Sequence, residues 1–214
     1  MNFDLKTMIQ ATESGGQILK KYFGQTLKLV EKSTVADFRS EADLKSEEVI
    51  LKILSKEFPN YNIFSEEKGT INKKSEYTFI VDPLDGSNNF VLDIPNFSVC
   101  IALLKNDEII SSVIHNPILN QTYFAKKGAG AYLGNKRLQV NKEKDIKKAN
   151  IVYTCNYIYS RGYASNLIKK LNEKVVKRIL TNWSLALDFC LLASGKIFNR
   201  KIEIFLKFQN FYTR

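Results

Sequence analysis

Residues 78–90 read Thr-Phe-Ile-Val-Asp-Pro-Leu-Asp-Gly-Ser-Asn-Asn-Phe, and they restrict this chain more than any other stretch. The apolar run Phe79-Ile80-Val81 reads as a buried strand that delivers Asp82 to its end. Pro83 fixes φ for a turn, and a second carboxylate, Asp85, follows. Gly86 permits close backbone approach, and Ser87 adds a hydroxyl. Two carboxylates on a rigid turn, beside backbone N–H groups, suit a divalent cation and a phosphate together.

Alone, Asp-x-x-Asp-Gly is a weak signal, met equally in solvated surface turns. A second acidic cluster strengthens it. Ser65-Glu66-Glu67-Lys68-Gly69 follows another apolar segment, Tyr61-Asn62-Ile63-Phe64. If that segment is a strand beside residues 77–82, Glu66 reaches the same sheet edge. Three carboxylates, Glu66, Asp82 and Asp85, then converge at strand ends, where open α/β sheets bind ligands.

The rest of the chain supplies the scaffold. Apolar residues from Phe3 to Phe23 fit a first helix, closed by Gly24. Leu27 to Val30 reads as a strand, and Leu44 to Phe58 as a second helix stopped by Pro59. From Phe97 to Val140 the pattern is hairpins: Val99–Lys105, a turn at Asn106-Asp107, Ile109–Ile114, then Thr122–Lys126. A polar, Lys-rich stretch from Asn141 to Lys148 precedes a further α/β portion. That portion has strands at 151–153 and 175–180 and helices at 164–172 and 184–194. The expected organisation is an N-terminal α+β portion, 1–145, carrying the site, and a C-terminal α/β portion, 146–214.

The two acidic segments, 65–69 and 81–90, together resemble the inositol monophosphatase family, within the magnesium-dependent, lithium-sensitive sugar phosphatases. Further matches follow in order: Lys32-Ser33 with Asp37, Ser40-Glu41-Ala42-Asp43, Pro95-Asn96-Phe97-Ser98-Val99, His115-Asn116-Pro117 and Gly128 to Leu133. The resemblance spans essentially the whole chain, strongest over residues 66–90 and weakest after about residue 196. It implies a layered α/β fold, an αβαβα sandwich. It also implies a Mg²⁺-dependent phosphomonoesterase acting on a small sugar or inositol phosphate with two or three ions. Carried over by position, Glu66, Asp82 and the Leu84 carbonyl would hold one cation, and Asp82 with Asp85 a second. Glu66 and Ser87 would orient the attacking water, with Asp43 supporting Ser87. Leu84, Asp85, Gly86, Ser87, Ser184, Leu185 and Glu203 would line the substrate, the N–H groups of Gly86 and Ser87 receiving phosphate oxygens. The alternatives are a nucleotide 3′-phosphatase, or a non-catalytic relative that binds a metal or a partner.

The late segment departs from the family pattern. Relatives generally carry Gly where Trp183 stands, and a metal-binding Asp where this chain has Asn210. Asn keeps one oxygen acceptor but loses the charge, so a second cation is expected to bind more weakly. The family pattern also continues well past Arg214, so the last layer of the sandwich is expected to be incomplete.

Composition narrows the setting. The longest apolar run, Val99 to Leu104, is too short to span a bilayer, and Met1 to Gln10 lacks a signal peptide's apolar core. Cys100, Cys155 and Cys190 lie in apolar or aromatic surroundings without Cys-x-x-Cys spacing, so reduced thiols and a cytoplasmic location are expected. The net charge of +10 comes mainly from dispersed Lys rather than a basic stripe. It points to a solvated surface that attracts anionic substrates, not to specific nucleic-acid binding. A homodimer is compatible with the resemblance. His115, the single histidine, is expected to be structural.

Overall fold

A computed structural model describes residues 3–26, 29–34, 37–153 and 161–197. The chain opens with helix α1 (Phe3–Tyr22), a β1 (Leu29–Thr34) and β2 (Asp37–Ser40) hairpin, and helix α2 (Glu41–Glu57). Strands β3 (Asn62–Ser65), β4 (Gly69–Ile71) and β5 (Tyr77–Asp85) lead into the short helix α3 (Ser87–Val91). A meander follows: β6 (Ser98–Lys105), β7 (Glu108–Asn116), β8 (Gln121–Lys126), β9 (Gly130–Leu133) and β10 (Lys136–Arg137). The last described elements are β11 (Asn150–Val152), α4 (Arg161–Glu173), β12 (Arg178–Leu180) and α5 (Leu185–Ala193).

One eight-stranded sheet has the order β10-β9-β8-β7-β6-β5-β3-β4. Its neighbours are antiparallel except β3 and β5, which run parallel with Ser65 opposite Val81. The sequence places β3 beside β5, and the pairing is observed. It also reads the Asn106-Asp107 turn, where both residues adopt positive φ (47° and 66°) and join β6 to β7. β4 and β10, at the two sheet edges, are only three and two residues long. Neither carries enough alternation to show in sequence. β11 and β12 form a separate parallel pair.

Alternation in β5 decides which face the acids take. Phe79 and Val81 are buried in the core with Ile50 and Leu54 of α2 and Met8 and Leu19 of α1. Asp82 therefore faces the other side of the sheet, in one row with Cys100 and Ile114. Helix α5 contacts β6 and β7, and its Cys190 lies near both Cys100 and Tyr123. These residues place α5 over the Asp82 face, opposite α1 and α2.

Two adjacent glycines let α1 sit close to its neighbours. A Cβ on Gly15 would lie 2.7 Å from Ile50 Cδ1, and one on Gly16 2.6 Å from His115 Cδ2. His115 is buried against Gly16, and its Nδ1 lies 2.9 Å from Thr122 Oγ1. Thr122 donates its proton to Glu13, 2.9 Å away, so its oxygen accepts from His115 Nδ1–H. The single histidine thus ties α1 to β7 and β8. Helix α2 begins three residues before the sequence expectation, because Ser40 and Asp43 form a reciprocal capping box.

Candidate active site

The site forms where β5 leaves the sheet. Asp82 pairs with Cys100 and Asp85 with Ser98, so three steps along β5 match two along β6. The turn expected at Pro83-Leu84 is thus a bulge within the strand. Both residues are buried, with Leu84 only 4% exposed. A bulge re-aims side chains, and here the extra residue brings Asp82 and Asp85 to the same face of the sheet, where strict alternation would have put them on opposite faces.

Glu66 joins Asp82 from the neighbouring strand. The Glu66 amide donates to Val81 O at 3.2 Å, extending the β3–β5 register by one residue. That pairing brings Glu66 beside Asp82 at the strand end. Burial first, then the charges of Glu66 and Asp85, hold the Asp82 carboxyl well above the usual range. The Leu84 amide, 3.0 Å from Asp82 Oδ1, opposes this shift.

Asp85 turns toward α5. Its Oδ2 accepts from Ser184 Oγ at 2.5 Å, Ser98 Oγ at 3.2 Å and the Ala186 amide at 3.3 Å. Burial pushes its carboxyl up to about 6, while these donors and the Leu185 amide pull it down. The carboxylate thus also serves the N-terminus of α5, where Ser184 makes no side-chain cap bond of its own.

Gly86 follows at φ +87°, and a Cβ there would lie 3.1 Å from Asn96 O and 3.2 Å from Ser184 Cβ. Only glycine suits this crowded left-handed position, which starts α3 at Ser87. Phe90 of α3 packs on Phe97 (ring centroids 4.9 Å apart, edge-on) and Phe23 (5.8 Å) and anchors that turn in the core. Asn89 and Asn96 donate to Asn182 O at 2.7 and 2.9 Å, binding the segment before α5 to the same turn.

Several residues that the resemblance singled out take these places. Glu66 and Asp82 meet, with Asp85 alongside. Ser184 and Leu185 reach the site through Asp85. Asp43 is buried, and its Oδ2 accepts from Ser40 N at 2.8 Å and Ser40 Oγ at 2.5 Å. Trp183 has φ +55° and is 42% exposed. That left-handed conformation accounts physically for a Gly preference at its position. Cys100 is half-buried and Cys190 buried, both as free thiols, and burial pushes Cys190 up to about 12. Glu203, Asn210 and Cys155 lie outside the described residues.

The donor set suits a hard divalent cation. Asp82, whose protonation is raised by burial and by the charges of Glu66 and Asp85, sits among negative charge that a cation would neutralise. The arrangement is not a closed cage. Among the described residues no group of three or more His, Cys, Asp or Glu side chains is arranged to hold a metal.

Sequence reasoning missed Ser98, Asn89, Asn182, Ser46 and Glu47, which hold this constellation in place. The signal for Ser46 and Glu47 was present: polar residues occupy the stripe of α2 that continues into Ile50 and Leu54.

Comparison with known proteins agrees with this architecture. The inositol monophosphatase family profile matches residues 3–207. An inositol-1-monophosphatase of Mesorhizobium japonicum is 35% identical over 90% of this chain and 74% of its own length. A fructose-1,6-bisphosphatase/inositol-1-monophosphatase of Aquifex aeolicus is 34% identical over 92% of this chain and 75% of its own. Among solved structures, the extragenic suppressor protein SuhB of Bartonella henselae superposes with a TM-score of 0.88 at 31% identity. That match covers 92% of this chain and 76% of the suppressor protein. With an acidic strand end, a glycine turn and a mixed sheet held between helices, this chain belongs to the inositol monophosphatase family.

Proposed function

We propose that the protein is a Mg²⁺-dependent phosphomonoesterase acting on an inositol or other small sugar monophosphate. The observation that carries this reading is the parallel pairing of β3 with β5, which brings Glu66 to the strand end at Asp82, with Asp85 on the same face of the bulged strand. Relatives named as inositol-1-monophosphatases and fructose-1,6-bisphosphatase/inositol-1-monophosphatases support it.

In this reading Glu66, Asp82 and the Leu84 carbonyl hold one cation, and Asp82 with Asp85 a second. Bound there, the cations supply charge neutralisation at the phosphate and lower the pKa of water. The chain's own residues do the rest. Glu66 and the Ser87 hydroxyl orient the attacking water, and Asp43 supports Ser87. The amides of Gly86 and Ser87 receive phosphate oxygens, which the bare Cα of Gly86 lets approach closely. Ser184 and Leu185, held on Asp85, border the leaving group.

A second reading has its own support. A relative of Xylella fastidiosa, 31% identical over 88% of this chain, is named Nus factor SuhB. With the net charge of +10, that name favours a partner-binding role that does not depend on hydrolysis.

Calorimetry with Mg²⁺ and Mn²⁺ on wild type and Asp82→Asn tests the cation site. Wild type is expected to bind at millimolar concentration or below, as a rough order of magnitude. Asp82→Asn is expected to bind much more weakly. Equal heats from the two proteins would remove the reading.

A further inference from the structure

Helix α2 reaches both acid-bearing turns with two consecutive side chains. Ser46 Oγ donates to Pro83 O at 3.0 Å, inside the bulge between Asp82 and Asp85. Glu47 Oε1 accepts from Ser65 Oγ and from the amides of Glu67 at 3.1 Å and Lys68 at 3.0 Å. Glu66 is thereby flanked on both sides by residues tied to one carboxylate oxygen. Glu66 itself is exposed, and the backbone on either side of it sets where its side chain starts.

Both Ser46 and Glu47 are fully buried, at 0% exposure. Glu47 Oε2 has no hydrogen-bond partner among the described residues. A buried carboxylate with one bare oxygen carries a desolvation cost that its bonds on the other oxygen must offset. What only an acceptor provides here is the gathering of three donors from one turn. The capping box at Ser40 fixes the start of the same helix, so both turns are referred to one rigid element.

We infer that Ser46 and Glu47 are positioning residues that set Glu66 against Asp82 and Asp85 and so tune divalent-cation affinity. The inference rests on the cation site proposed above. Groups that hold metal ligands in place typically change affinity by about 10–100-fold when removed, without touching the ion.

The test measures free Mn²⁺ by electron paramagnetic resonance during titration of the whole chain, so it does not depend on turnover. Glu47→Ala is expected to weaken Mn²⁺ binding by about 10–100-fold and Ser46→Ala by about tenfold. Glu47→Gln keeps an acceptor at Oε1 and is expected to retain most of the affinity. Thr12→Ala is the control for a purely structural loss. Thr12 is buried and its hydroxyl donates to Met8 O at 3.1 Å, far from both turns in its bonding. It should lower Tm and leave Mn²⁺ affinity unchanged. If Glu47→Ala does not fold, Ser46→Ala, which removes one hydroxyl, carries the test. Wild-type affinity in a folded Ser46→Ala or Glu47→Ala protein would overturn the inference, as would equal weakening by Thr12→Ala. A wild type that binds no Mn²⁺ would instead overturn the cation site itself, and the positioning role with it.

Discussion

At the scale of single residues, the most legible feature was also the most local. Asp82, Asp85 and Gly86 sit in one short run whose chemistry is stated by residue type. The bulge that brings both carboxylates to one face was not legible, because it arises from the register shift against β6 between Asp82 and Asp85. Trp183 shows a residue-scale conflict. An L-residue in the left-handed region costs roughly 1–2 kcal/mol relative to its normal conformation. Trp183 is held there at φ +55°, between Asn182 on the asparagine network and Ser184 on Asp85. Trp183→Gly is therefore expected to keep or raise stability, by up to about 1 kcal/mol in urea unfolding. A loss of more than about 1 kcal/mol would show that indole packing outweighs the backbone strain.

At the scale of elements, packing between α1 and the sheet carries the argument. The sequence marks α1 by its apolar periodicity, and the helix forms over Phe3–Tyr22. It gave no reason for the Gly15-Gly16 pair, since the cause lies in α2 and in β7, distant in the chain. Propensity alone favours alanine over glycine inside a helix by about 1 kcal/mol. At Gly16, however, the new Cβ would meet the buried His115 ring at 2.6 Å and Pro117 Cβ at 3.1 Å. Overpacking of that kind costs typically 1–3 kcal/mol, so Gly16→Ala is expected to destabilise by about 1–2 kcal/mol net. Thermal unfolding of Gly16→Ala against wild type checks it. A higher Tm would mean that α1 shifts at no cost.

The same contact makes stability pH-dependent. Burial lowers the His115 pKa below its ordinary 6.5, and Glu13 opposes this only in part. The unfolded chain then binds the proton more readily. This contribution is fully present above the unfolded pKa and is lost as pH falls through 6.5 toward the lower folded pKa. Urea midpoints between pH 7.5 and about 5 should fall more steeply in wild type than in His115→Asn. Parallel slopes would place the titration elsewhere.

At the scale of the whole molecule, the sheet brings together segments that sequence reading treats separately. Glu66 and Asp82 meet only because β3 pairs parallel to β5. Ser184 meets Asp85 only because α5 lies over the face opposite α1 and α2. Those are long-range relations, and no local pattern encodes them. The net charge of +10 favours anionic ligands in general. No described helix is long and apolar enough to cross a membrane. The proposed reaction is hydrolysis of a phosphate monoester at the acidic strand end with Mg²⁺. Phosphate release from inositol 1-phosphate, followed across a Mg²⁺ titration for wild type, Asp82→Asn and Ser87→Ala, tests it most directly. Wild type is expected to release phosphate in a Mg²⁺-dependent way, Ser87→Ala far less, and Asp82→Asn none above background. Equal release by wild type and Asp82→Asn would contradict it.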